Sequence, residues 1–127
     1  MTYGGDGIFV RALDAVVSSD NTFTGNDVSF AHNNGIEAWC PRNQWIRNKA
    51  NHCGYGFWLG SSDDTLVQEN EVKENGVPGT NTANGTAGLA YIGGGVHVRI
   101  LDNTIEGNAG PGIHLRGNPP RSRSSIS

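Results

Sequence analysis

Few side chains in this 127-residue chain are suited to chemistry, and they form a particular mix: Glu37, Trp39, Trp58, His114 and Arg116, with Arg11 near the start. An indole face takes the apolar side of a sugar ring by stacking, while charged neighbours meet its hydroxyls and carboxylates. An imidazole titrates near neutral pH and can move a proton. The candidate catalytic residues are therefore His114, Arg116 and Glu37, and the candidate substrate-binding residues are Trp39, Trp58 and Arg11. Glycoside hydrolysis would need two carboxyl groups roughly 5 to 9.5 Å apart. Glu37 has Phe9 and Trp58 as its expected neighbours across strands, so no carboxylate pair is expected there.

Other groups carry less. Asp63-Asp64 supplies two carboxyls and is the candidate Ca²⁺ position, although Ser-Ser-Asp-Asp is also ordinary corner chemistry through side-chain to backbone bonds. No cofactor is required, and no metal ligand set is read from the sequence. His32, His52, His97 and His114 fall in different parts of the repeat described next. Cys40 and Cys53 have no zinc spacing and unequal repeat positions, so buried free thiols are expected.

What groups the candidate residues is a register. Asn26, Asn48, Asn70 and Asn103 lie 22, 22 and 33 residues apart. Three positions before each stands an apolar residue, in order Phe23, Trp45, Val67 and Ile100. Two positions after each come Val28, Ala50, Val72 and Ile105. The period is 22, with an insertion supplied by the turn-forming stretch 76–87. A further column pairs Gly with a large apolar residue: Gly35-Ile36, Gly56-Phe57, Gly88-Leu89 and Gly112-Ile113. Alternation follows it, as in Ile36-Glu37-Ala38-Trp39, which is strand patterning. A 22-residue unit cannot bury its own apolar face, but stacked units share one core. Equivalent Asn side chains can then stack from turn to turn as an amide ladder. With Ile36, Phe57, Leu89 and Ile113 inward, the next residues form an outward row of Glu37, Trp58, Ala90 and His114. Two residues on, Trp39, Gly60, Ile92 and Arg116 form a second row, and Phe9 and Arg11 extend both if the first coil starts at Gly7-Ile8. A start near Leu13 is the alternative.

The units 19–36 (SDNTFTGNDVSFAHNNGI) and 54–70 (GYGFWLGSSDDTLVQEN) resemble the bacterial right-handed parallel β-helix repeat proteins of the pectate-lyase-like superfamily. The resemblance covers roughly residues 7 to 118. It implies an all-β chain, a single-stranded right-handed parallel β-helix of about four to five coils with a 22-residue repeat. Residues 1–118 form the helix, with 76–87 as an inserted loop, and 119–127 form a disordered tail. The sparse ends suggest a piece of a longer β-helix or a truncated reading frame. The superfamily includes polysaccharide lyases, uronan epimerases, glycoside hydrolases and noncatalytic surface proteins, and an extracellular or periplasmic location is what it implies. Its lyases and epimerases abstract a proton beside a uronate carboxylate, with a cation offsetting that group. Arg116 and His114 can fill those roles.

Composition narrows the partners. Nine Lys and Arg against twelve Asp and Glu give a net charge of -3, which argues against a general nucleic-acid binder. No run approaches the roughly 20 apolar residues of a membrane span, and no signal peptide is visible at the start. The 19 Gly and 35% apolar content fit a solenoid whose core takes a few inward residues per coil. The expected function is binding or processing of an extracellular, acidic polysaccharide, of lyase or epimerase type if catalytic. The competing reading is a noncatalytic structural or adhesive β-helix, or a fragment without activity, in which Trp39 and Trp58 are packing surfaces. The sequence leaves the oligomeric state open.

Overall fold

The computed structural model describes residues 5–12, 17–80, 82, 85–93, 97–116 and 124–126, and all regular structure among them is strand. One five-stranded sheet holds β1 (Ile8–Val10), β3 (Asn34–Ala38), β5 (Tyr55–Gly60), β8 (Ala87–Ile92) and β11 (Ile113–Arg116) in that order. A second holds β2 (Thr22–Thr24), β4 (Gln44–Ile46), β6 (Leu66–Gln68), β9 (Val98–Leu101) and β12 (Ser124–Ile126). The third pairs β7 (Glu71–Lys73) with β10 (Thr104–Glu106), and bridges from Asp27 to Lys49 and from Lys49 to Glu71 carry it further. Every pairing is parallel. The chain visits the sheets in turn and returns one strand further along each, which makes a parallel β-helix.

The inward columns explain why. Ile8 faces Ile36, Ile36 faces Phe57, and Leu89 lies between Phe57 and Ile113. Ile36, Phe57 and Leu89 are fully buried. From the second sheet, Phe23 stacks on Trp45 with ring centroids 4.1 Å apart, and Trp45 meets Phe57 edge-on at 6.3 Å. The third sheet adds Val28, Ala50 and Val72, all buried. A side chain at Gly35 would sit 2.8 Å from the Gly56 carbonyl oxygen and 2.9 Å from the Ala50 Cβ, so the turn into the first sheet closes only on glycine.

The corners are held by amides. Asn26 donates from Nδ2 to Asn48 Oδ1 at 3.1 Å, Asn48 to Asn70 at 3.1 Å, and Asn70 to Asn103 at 2.9 Å. Each acceptor oxygen also takes the backbone N–H of the preceding Asn. The Nδ2 groups of Asn48, Asn70 and Asn103 reach back as well, to the carbonyls of Phe23, Trp45 and Val67. A second ladder runs parallel to it, where Asn75 and Asn108 are joined at 2.8 Å and Asn75 Oδ1 accepts the Cys53 N–H.

One open choice closes and two expected bounds shift. The first coil starts in register at Ile8, and Leu13, the alternative start, lies outside the described residues. The inserted loop ends at Thr86, because Ala87 already pairs with Tyr55. Within the tail expected to be disordered, Ser124–Ile126 form β12 beside β9. Otherwise β9 would leave its outer row of backbone groups without strand partners. Residues 119–123 and 127 lie outside the described residues.

Candidate functional site

The outward side of the first sheet carries a groove of about 840 Å³. Its floor is the row Glu37, Trp58, Ala90 and His114, in the register expected from the sequence, with Phe9 beyond Glu37. Trp39, Ile92 and Arg116 flank that row, and Tyr55, Thr86 and Pro111 form part of the other side. Thr86 belongs to the end of the insertion, and its hydroxyl is fixed by a 2.7 Å bond to the Gly54 carbonyl. Ala90 points outward yet is only 2% exposed, because a methyl group beside an indole sinks below it. The strand alternation thus sets which side chains reach the groove, and the change from Trp to Ala sets its depth.

Five of the six candidate residues line this groove, and Arg11 does not. Its guanidinium lies over the Phe9 ring, 5.9 Å from the centroid, and the side chain is exposed. The five also do not form one cluster. Glu37 is on β3 and His114 on β11, three strand steps away, or roughly 14 Å at the usual strand spacing. Glu37 therefore cannot act on the same bond as His114 and Arg116.

Each end of the groove has its own chemistry. At one end Glu37 accepts from Asn34 Nδ2 at 2.6 Å on Oε1 and from Trp39 Nε1 at 2.8 Å on Oε2. The Trp39 ring lies over Gly60 and 4.6 Å from the Trp58 ring, tilted by 51°. At the other end His114 and Arg116 are exposed neighbours on one face of β11.

Sequence reasoning missed Asp6. Asp6 Oδ1 accepts the Asn34 N–H at 3.1 Å, so Asn34 binds both Asp6 and Glu37. Burial pushes the Asp6 carboxyl above the ordinary carboxylate range against the opposing Asn34 bond, and the charge and hydrogen bonding of Glu37 push the same way. A carboxyl pair thus exists where none was expected, although Asp6 is not among the residues lining the groove. The available signal was positional. Asp6 precedes Ile8 by two residues, as Asn34 precedes Ile36, but with the first coil's start open that position had no partner.

Asp63-Asp64 forms the corner after β5. Asp64 has φ 52°, the Asp63 carbonyl accepts the Arg42 N–H at 2.9 Å, and Asp64 Oδ1 lies 3.2 Å from His97 Nδ1. Calcium takes roughly six to eight oxygen ligands. Among the described residues no three His, Cys, Asp or Glu converge, so Asp63 and Asp64 stand there without a third carboxylate or imidazole ligand. Cys40 and Cys53 are free and buried, and burial pushes the Cys53 thiol up to about 11.

The family model described as "Right handed beta helix region" matches residues 2–126. No curated protein and no solved structure matches the chain.

Proposed function

Because the chain belongs to the right-handed β-helix family, a scaffold that does not by itself fix an activity, we propose from the groove's own chemistry that it binds an extracellular, acidic polysaccharide. The observation that carries this reading is the alignment of an aromatic pair, Trp39 and Trp58, with a cationic end, Arg116 beside the His114 imidazole, along one groove. Its volume falls in the roughly 300–1,000 Å³ range of ligand sites. Sugar rings stack on the indoles, and carboxylates along the same chain meet Arg116. The groove runs across the strands, so a polymer laid along it engages both ends at once.

The reaction that suits the cationic end is proton abstraction beside a uronate carboxylate. Arg116 offsets the carboxylate charge, which lowers the cost of the carbanion-like transition state, and His114 removes the proton from the neighbouring carbon. Glu37 does not meet that carbon, since it lies three strands away. Elimination then breaks the glycosidic C–O bond on the adjacent carbon, the departing oxygen taking a proton from water, and leaves an unsaturated product that absorbs in the ultraviolet. Epimerisation instead returns a proton from water to the opposite face of the same carbon, leaves no chromophore and is read by proton NMR of the polymer. Incubation with a panel of uronans should produce one of the two, lost in His114→Ala. Neither product across the panel would reject the catalytic half of the reading, and binding would then stand or fall on its own measurement.

A further inference from the structure

The Trp39–Glu37 contact carries an inference that rests on the glycan reading of the groove and narrows its ligand. Trp39 is 40% exposed, and a surface indole without partners rotates freely about two side-chain torsions. Here it is fixed from two directions. Its Nε1–H is bound to Glu37 Oε2, and the other Glu37 oxygen is bound to Asn34, so the carboxylate is anchored at both ends. Its six-membered ring occupies the space above Gly60, where a Cβ would lie 2.5 to 3.1 Å from three ring carbons. Glycine at that point of the row is therefore a seat for the indole.

The pose decides what the pair can hold. Two indoles at 4.6 Å and 51° present no common plane. A sheet-like crystalline glycan surface needs coplanar aromatic faces to stack on several chains at once. A single chain needs only one indole face per sugar ring, and the second indole then meets that ring at its edge. We propose that Glu37 is a positioning residue that, with Gly60 as the seat, fixes Trp39 against Trp58 in a tilted pair selecting a single soluble glycan chain over a crystalline surface. Glu37 would then govern ligand shape without touching the reacting atoms.

The positioning can be tested without any ligand. Two indoles this close give an exciton couplet in circular dichroism, while Trp45, buried between Phe23 and Phe57, stays as an internal reference. Glu37→Ala should diminish the couplet while the protein keeps its strand-type far-ultraviolet spectrum and a cooperative melt. Glu37→Gln should retain most of it, since its amide oxygen still accepts from the indole N–H. Gly60→Ala should displace the ring as Glu37→Ala does, and if it fails to fold, Glu37→Ala carries the test alone. An unchanged couplet in Glu37→Ala would overturn the positioning role whether or not any glycan binds. In binding assays the protein should be retained by soluble uronan chains and pass through microcrystalline cellulose and chitin, with about tenfold weaker uronan binding for Glu37→Ala. Retention on the crystalline particles would overturn the selection. A Glu37-dependent couplet with no glycan bound at all would support the positioning and overturn the glycan assignment itself.

Discussion

The Asn corner and the outward row of the first sheet are built on the same stack of turns and obey opposite rules. At the corner, Asn26, Asn48, Asn70 and Asn103 repeat one residue type, each joined to the next by the same pair of bonds. On the outward row, Phe9, Glu37, Trp58, Ala90 and His114 are five different residues in one register. A buried amide has to be satisfied by its neighbour above and below, so identity is enforced from turn to turn. A side chain facing water has no such obligation. In this chain repetition therefore marks what holds the fold, and departure from repetition marks what is free to bind.

The sharpest way to break that contrast is to remove one rung. Asn70 is 2% exposed, accepts two bonds from Asn48 and donates to Trp45 and Asn103. Asn70→Ala should cost about 3 kcal/mol, because it leaves a buried N–H and a buried carbonyl without partners. Urea denaturation measures this, and a change below about 1 kcal/mol would mean that the ladder decorates the fold without supporting it.

The two regions should also differ in the sign of their pH dependence. Asp6, beside the groove, has its carboxyl raised, so the folded state holds its proton longer than the unfolded chain does. Stability should fall as pH rises from the ordinary carboxylate value through the raised one, and Asp6→Asn should flatten that slope. Glu71, on the third sheet, is lowered by bonds from Asn51 and Lys73. Its contribution is present above the ordinary value and lost as pH falls through the lowered one. Glu71 is partly exposed, so the loss in wild type that disappears in Glu71→Gln should be small. Urea midpoints across acidic pH distinguish the two slopes. The smallest effect concerns the thiols. With Cys53 buried and pushed up to about 11, Cys40 buried and both free, neither should react with a thiol reagent at pH 8 until the protein is unfolded. Rapid labelling of the native protein would show that the core opens locally.

What was legible in the sequence follows the same division. The Asn26 column, the inward Ile36–Phe57–Leu89–Ile113 column and the outward row could be read because stacking copies a spacing faithfully. The second ladder was hidden because Cys53 occupies one of its rungs, donating only its backbone N–H to Asn75 Oδ1, whereas Asn75 donates to Asn108 through its side chain. Asp6 was hidden because its column passes from Asp to Asn34 to Tyr55 and repeats nothing. Arg11 was assigned to the second row by alternation alone, which gives a side chain's face but not its reach, and its guanidinium settles on Phe9 instead. The separation of Glu37 from His114 was already implied by the order Glu37, Trp58, Ala90 and His114 within one row, and the sheet order bears it out as three strand steps.

The central claim is that the groove over the irregular row binds a polysaccharide through Trp58 and the flanking Trp39, and affinity electrophoresis through gels containing acidic polysaccharides tests it most directly. Wild-type protein should be retarded, and the Trp39→Ala/Trp58→Ala double variant should migrate as in a gel without polysaccharide while keeping its strand-type circular dichroism. Equal retardation of the two proteins, or no retardation of the wild type in any acidic polysaccharide, would contradict the account.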